Sequence, residues 1–203
     1  MPESAIRTSA LAGHVDAGVH GASPAEGHGV TLREVLPAAL CQINGAPAEA
    51  ELARELEAFG LRGEPAPRRA WTGEDLSLLW SGPGQWLAVS HAVERGDLLG
   101  SLREALAGSD ATVTDLGHAR TVVRIAGPRA ADVLAGGCPL DLEAMAPGAS
   151  ATSVFGHLTV HLHRIDGTGF DLYVFRSFGL ALWEHLLEGA LEYGCRVEAA
   201  AGA

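Results

Sequence analysis

Basic residues are in short supply: 14 Lys and Arg stand against 25 Asp and Glu, a net charge of −11. No basic stripe forms, so nucleic acid and anionic membrane surfaces are poor partners. No apolar run approaches the roughly 20 residues that a membrane-spanning helix needs. The opening residues MPESAIRTSALAGHVDAG have neither the basic nor the apolar region of a secretory signal. Cysteine is sparse as well. Cys41, Cys138 and Cys195 are odd in number and far apart, which fits reduced thiols in a cytoplasmic protein and offers no C-x-x-C metal spacing. Nucleotide-binding signatures are missing too. There is no G-x-G-x-x-G after a strand, no P-loop and no serine nucleophile elbow, and Gly82-Pro83-Gly84 sits between two strands as a hairpin turn.

What is present is an ordinary globular pattern: 203 residues, 47% hydrophobic and 19% charged. Residues 1–28, rich in Gly, Ala, Ser and His, read as an irregular arm on the surface or on a partner. Patterning begins at Thr31. A strand is expected from Ala38 to Ile43. A helix follows, opened by Pro47, with Leu52, Leu56 and Phe59 on one face and Gly60 at its end. Strands near Arg69–Trp71, Leu76–Trp80 and Gln85–Ser90 come next. A helix from Gly96 to Ala107 and a strand from Ala111 to Asp115 close the first half.

The second half repeats this order. Thr121–Ala126 is β-branched and suits a pleated, half-buried surface. Gly127 breaks it and Pro128 opens a short helix to Ala135. Strands at Thr152–Phe155, Leu158–Ile165 and Phe170–Phe175, a helix from Phe178 to Glu192 and a strand from Cys195 complete the copy. Gly45 and Gly127 stand 82 residues apart, Gly84 and Gly169 85 apart. Each copy reads β-α-β-β-β-α-β. The predicted fold class is therefore α+β, with two similar ferredoxin-like βαβ-type modules at 29–115 and 116–203.

Four groups of residues invite a chemical role. Asp115 and His118 are spaced as an acid–base pair; the alternative is that Asp115 ends a strand and His118 bonds a turn or a partner. His157, His161 and His163 fall on one face of a strand in alternation with Leu158, Val160 and Leu162. They read either as metal ligands or as a polar sheet face at a subunit contact. Cys138 is a reactive thiol only beside a cation or a helix N-terminus, and otherwise a small packed residue. Arg164 and Arg176 stand near strand ends, as arginine forks for carboxylates or as solvated surface residues. Trp71, Trp80, Trp86 and Trp183 read as core or interface anchors.

Asp115-Leu116-Gly117-His118, the following strand, Gly127-Pro128, Ala130 and Val133-Leu134 together resemble the aminomethyltransferase-like family, which includes the glycine-cleavage T-protein. LWSGPGQWL (79–87), GCPLD (137–141), LHRID (162–166) and FDLYVFRSF (170–178) are similar to the branch formed by gamma subunits of heterotetrameric sarcosine oxidases. The resemblance spans about Thr31 to Val197. It implies an accessory, non-catalytic subunit of a complex that demethylates sarcosine to glycine, producing hydrogen peroxide and passing the one-carbon unit to tetrahydrofolate. It further implies that FAD, FMN, NAD, tetrahydrofolate and zinc sit on the alpha, beta and delta partners, with none bound by this chain, and that the alpha subunit is its most direct contact. Candidate partner-contact residues are Asp115, His118, Arg120, Cys138, Asp141, His163, Arg164 and Arg176. Two alternatives stand beside this reading: a stand-alone folate-binding aminomethyltransferase-like protein, and a subunit of a related N-methyl amine oxidase or dehydrogenase complex.

Overall fold

A computed structural model of the chain describes residues 8–22, 27–92 and 95–202. In chain order its elements are β1 (Gly18–His20), β2 (Val30–Leu36), β3 (Ala39–Asn44), α1 (Glu49–Glu55), β4 (Ala70–Thr72), β5 (Leu76–Gly82), β6 (Gln85–Ser90) and α2 (Arg95–Ala105). There follow β7 (Thr112–Asp115), β8 (Arg120–Ala126), α3 (Ala130–Ala135), β9 (Ser150–Phe155), β10 (Leu158–Arg164), β11 (Gly169–Phe175), α4 (Gly179–Ala190), β12 (Cys195–Val197) and β13 (Ala201–Gly202). The chain is an α+β protein built on two sheets. The smaller runs β4-β5-β6-β3-β7. The larger runs β1-β12-β2-β8-β11-β10-β9, with β13 added beside β2.

Alternation along the strands decides how the sheets meet. In β11, Phe170, Leu172 and Val174 pack with Leu182, Trp183 and Leu186 of α4 and with Val133 and Leu134 of α3. Tyr173, one residue out of phase, instead joins Val35 and Val122 against Leu40, Leu79, Leu87 and Val89 of the smaller sheet. The other face of that smaller sheet (Cys41, Ile43, Leu78, Trp86, Ala88) is covered by Leu52 of α1, by Leu56 just past its end and by Leu98 and Leu102 of α2. Helices thus lie outside and the sheets stack face to face inside. Both sheets are buried on two sides, which is why their strands read as long apolar runs.

Two expectations need correction. The arm is not simply irregular or superficial. Its Leu11 is buried in the α3–α4 core, Ser9 donates a hydrogen bond to buried Glu34, and β1 pairs antiparallel with β12. Residues 1–7 and 23–26 of the expected arm lie outside the described residues. The stretch 29–115 also does not occupy one sheet. β2 pairs antiparallel with β8 and parallel with β12, so the chain crosses between the sheets at Pro37-Ala38. Pro37 has no N–H to give a ladder, and it marks the point where one strand ends and β3 begins in the other sheet.

The strand-to-helix corner at Gly127 is fixed by close packing. Its φ is +119°, and a Cβ there would fall 2.5 Å from the Gly29 carbonyl oxygen. Gly127→Ala is expected to cost about 2–4 kcal/mol from backbone strain and this clash, seen as a fall of several degrees in the thermal midpoint. Gly100, inside α2 with open space around it, behaves oppositely. Gly100→Ala is expected to raise stability by roughly 0.5–1 kcal/mol through lost unfolded-state entropy.

Candidate functional site

The facing surfaces of the two sheets are apolar at their centre and polar along one side, and strand register orders the polar groups into rows. One row crosses the larger sheet as His163, Asp171, Arg124 and Arg33, each opposite the next on neighbouring strands. Asp171 is 2% exposed and receives both prongs of the Arg124 guanidinium, Nε at 2.6 Å and Nη2 at 2.7 Å. That fork raises the Arg124 pKa, because the hydrogen bond to the Asp171 carboxylate favours the cation. Burial pushes the His163 imidazole down, with Asp171 opposing the shift in part. His91, just past β6 on the other sheet, is lowered by burial too and feels the charges of Asp171, Arg124 and Arg33.

The next row is Thr152, His161, Tyr173, Val122 and Val35. His161 Nε2 lies 2.8 Å from the Ser150 hydroxyl, and Nδ1 lies 3.1 Å from the Thr152 hydroxyl. Those hydroxyls in turn reach the Trp80 and Ser81 carbonyls across the gap, each at 3.2 Å. Burial, with His163 and Arg120 adding to it, lowers the His161 pKa to about 3. The ring is therefore neutral with a single N–H. One of the two hydroxyls must donate to the bare ring nitrogen, and only the other is free to donate to its carbonyl. This imidazole clamps the sheets together and is not poised for proton transfer near neutral pH.

The outermost row is Arg120 opposite Phe175. The guanidinium carbon sits 3.8 Å from the Phe175 ring centre, and Arg120 Nε is buried without a hydrogen-bond partner among the described residues. Burial lowers the Arg120 pKa. Arg120 lines a cleft of about 190 Å³ together with residues that include Gln42, Ser81, Gln85, Thr152 and His161.

The sequence-predicted residues scatter. Asp115 ends β7 and its carboxylate accepts the Gly117 N–H at 2.8 Å, while His118 is exposed in the turn that follows. His161 and His163 share the face turned to the smaller sheet, but His157 leaves them: it lies in the Gly156 turn and meets His185 of α4 edge-on at 6.1 Å. Gly156, at φ +59°, breaks the strand before alternation reaches His157. No group of three potential metal ligands converges among the described residues. Cys138 is buried in the α3–α4 core with Sγ 3.7 Å from the Ser153 hydroxyl. His163, likewise, is interior and not on an outer face. Arg164 is occupied by its own loops, donating to the carbonyls of Leu142, Met145, Asp166 and Gly167. Arg176 donates to the Thr8 carbonyl at 2.6 Å and so holds the arm. Asp141 is exposed and accepts the Ala144 N–H at 3.0 Å. Sequence reasoning missed Arg124, Asp171, Ser150 and Thr152. The available signal was a pair of opposite charges inside two otherwise apolar strands, TVVRI and FDLYVF.

Residues 71–201 match the model of the GCVT N-terminal domain. The chain is 36% identical over 121 residues to the sarcosine oxidase gamma subunit of Arthrobacter sp., covering 59% of this chain and 58% of that relative. It is 33% identical over 139 residues to the gamma subunit of Corynebacterium sp. (strain P-1), covering 66% and 67%. Its fold matches a chain of the heterotetrameric sarcosine oxidase from Corynebacterium sp. U-96, solved in complex with pyrrole 2-carboxylate. That match has a TM-score of 0.74 and 26% identity over 86% of this chain and 88% of that one.

Two substitutions read out the polar rows. Asp171→Asn leaves Arg124 without its anion and is expected to cost about 2–4 kcal/mol in chemical denaturation. His161 has a folded pKa of about 3 against 6.5 for the free group, so the unfolded chain binds the extra proton between these values. Its stabilising contribution is complete above pH 6.5 and is lost as pH falls toward 3, on the order of 2–3 kcal/mol by pH 4.5. His161→Gln should flatten the decline of thermal midpoint between pH 7 and 4.5; an unchanged slope would show that the ring is not held neutral.

Proposed function

Because the chain belongs to the GCVT N-terminal domain family, we propose that it is the gamma-type accessory subunit of a sarcosine-oxidase complex. The observation that carries this is the extended fold match to a chain of the heterotetrameric enzyme, in company with gamma-subunit relatives at 33–36% identity. The complex would convert sarcosine to glycine with peroxide formation and one-carbon transfer to tetrahydrofolate. FAD, FMN, NAD, zinc and tetrahydrofolate would be held by the alpha, beta and delta subunits, and the assembly would be cytoplasmic. In this chain three ionisable groups are committed to the fold: Asp171 to Arg124, His161 to two hydroxyls, Arg164 to loop carbonyls. That supports a structural role, with His118, Asp141, Arg120 and the neighbourhood of Asp115 and Arg176 as the accessible contact points.

We also infer that the two halves are an internal repeat of ferredoxin-like modules. The support is connectivity. β3-α1-β4-β5-β6-α2-β7 gives the order β4-β5-β6-β3-β7, and β8-α3-β9-β10-β11-α4-β12 gives β9-β10-β11-β8-β12 once the inserted β2 is set aside.

Co-expression tests the function. With alpha, beta and delta subunits of a sarcosine oxidase, the tagged chain is expected to copurify in a flavin-containing complex that releases peroxide from sarcosine. The isolated chain is expected to show no saturable binding of tetrahydrofolate by titration calorimetry. A monomer that ignores the partner subunits yet binds tetrahydrofolate would instead favour the stand-alone folate protein.

A further inference from the structure

The Arg120 cleft is unlike the rest of the sheet-to-sheet interior. Arg124 has a carboxylate, Arg164 has four carbonyls and Arg176 has one. Arg120 is half-buried, its Nε is desolvated, and no hydrogen bond to it is formed among the described residues. Stacking on Phe175 offsets part of the cost but supplies no acceptor in the guanidinium plane. Among the described residues the cleft lining contains no acid, and its histidine, His161, already has partners for both ring nitrogens. Gln42, Gln85 and Ser81 add neutral polar groups. In a chain of net charge −11, this is a locally cationic pocket.

Its size argues against a free metabolite. At about 190 Å³ it is smaller than the roughly 300–1,000 Å³ of typical small-molecule pockets, and it is suited to one inserted side chain. Phe175, in its lining, is 47% exposed, and Phe178, three residues further along the chain, is 46% exposed. A polar socket with a desolvated arginine beside an exposed phenyl ring has the make-up of an interface anchor point, where aromatic residues and arginine concentrate.

We propose that this cleft is a docking socket for a partner subunit, which inserts an aspartate or glutamate side chain onto Arg120 and covers Phe175 and Phe178 with flanking apolar residues. The inserted carboxylate accepts from the terminal nitrogens of the guanidinium, which are not among its buried unpaired atoms. Gln85, in the same lining, stands as a side donor. The inference rests on the gamma-subunit reading and names the surface through which that subunit is held.

The test uses the full chain and its co-expressed alpha, beta and delta subunits, with affinity measured by titrating the chain onto the complex that lacks it. Arg120→Gln is expected to weaken binding at least about tenfold, as when one member of a desolvated charge pair is truncated. Phe178→Ser should weaken it by a similar factor. Arg120→Lys, which keeps charge but loses the fork, should fall between. Arg54→Gln, the same charge change on the exposed face of α1, should bind within about twofold of wild type. Circular dichroism of each isolated chain checks folding, and if Arg120→Gln is unfolded, Phe178→Ser carries the test. Failure of the wild-type chain to join the complex sinks the gamma-subunit reading. Assembly of wild type with equal affinity for Arg120→Gln and Phe178→Ser sinks the socket alone. Self-association of the isolated chain that Arg120→Gln abolishes, or saturable binding of free glutarate lost in Arg120→Gln with assembly unchanged, would also overturn it by assigning the cleft to a second copy or to a small carboxylate.

Discussion

The fork between Arg124 and Asp171 is the constraint on which the sheet-to-sheet packing depends. Two sheets that each carry helices on their outer faces have to bury their inner faces against one another. Any charge on those faces is then removed from water, at a cost of several kcal/mol per ion unless it is paired well. Asp171 accepts two short bonds at 2.6 and 2.7 Å, so the pair survives burial. A one-residue slip of β11 against β8 would send Asp171 to the helix-covered face and strand Arg124. The pair therefore fixes register as well as contributing stability. With that register set, Tyr173 meets Val122 and His161, Phe175 meets Arg120, and the three rows follow.

Much of this was legible from the chain. The strands at Gln85–Ser90 and around Thr121–Ala126 and Phe170–Phe175 announce themselves by β-branched and aromatic runs, and α4 by Leu182, Trp183, Leu186 and Leu187. Local chemistry dictates such elements, so local reading finds them. β2 was not placed, because VTLREVL carries no signal of which sheet it joins. Its position between β8 and β12 is a long-range pairing, decided by Val30 and Leu32 reaching the α3–α4 core while Val35 reaches the smaller sheet. The arm was misread for the same reason. Leu11 stands alone in a polar stretch, and only the cavity it fills reveals it as core.

The histidines show the limit of alternation as a guide to chemistry. Period-two spacing puts His161 and His163 on one face and the structure does so, yet the spacing says nothing about what that face meets. It meets another sheet. Burial then removes the proton from His161, and two hydroxyls take up its nitrogens. The same residues on a solvent-facing sheet would be candidate ligands or acid–base groups. Here His161 joins β9 to β10, and one of its two hydroxyl partners reaches on to a β5 carbonyl. The opposed carboxylate and guanidinium of Asp171 and Arg124 were equally visible as letters, and equally silent about their pairing until topology brought β8 beside β11.

A polar group inside a protein is informative mainly when its account does not close. Asp171, His161 and Arg164 close theirs within the chain, and each is explained as architecture without appeal to function. Arg120 sits one row beyond, in the same face and the same register, and does not. Burying a guanidinium nitrogen without an acceptor is a cost that folding alone has no reason to bear, since glutamine or threonine would fit a half-buried strand end without it. The site also lies beside the exposed Phe175 ring, not in the closed interior. A guanidinium without an acceptor among the described residues, in a chain whose relatives are subunits, is what one half of an interface looks like when seen without the other.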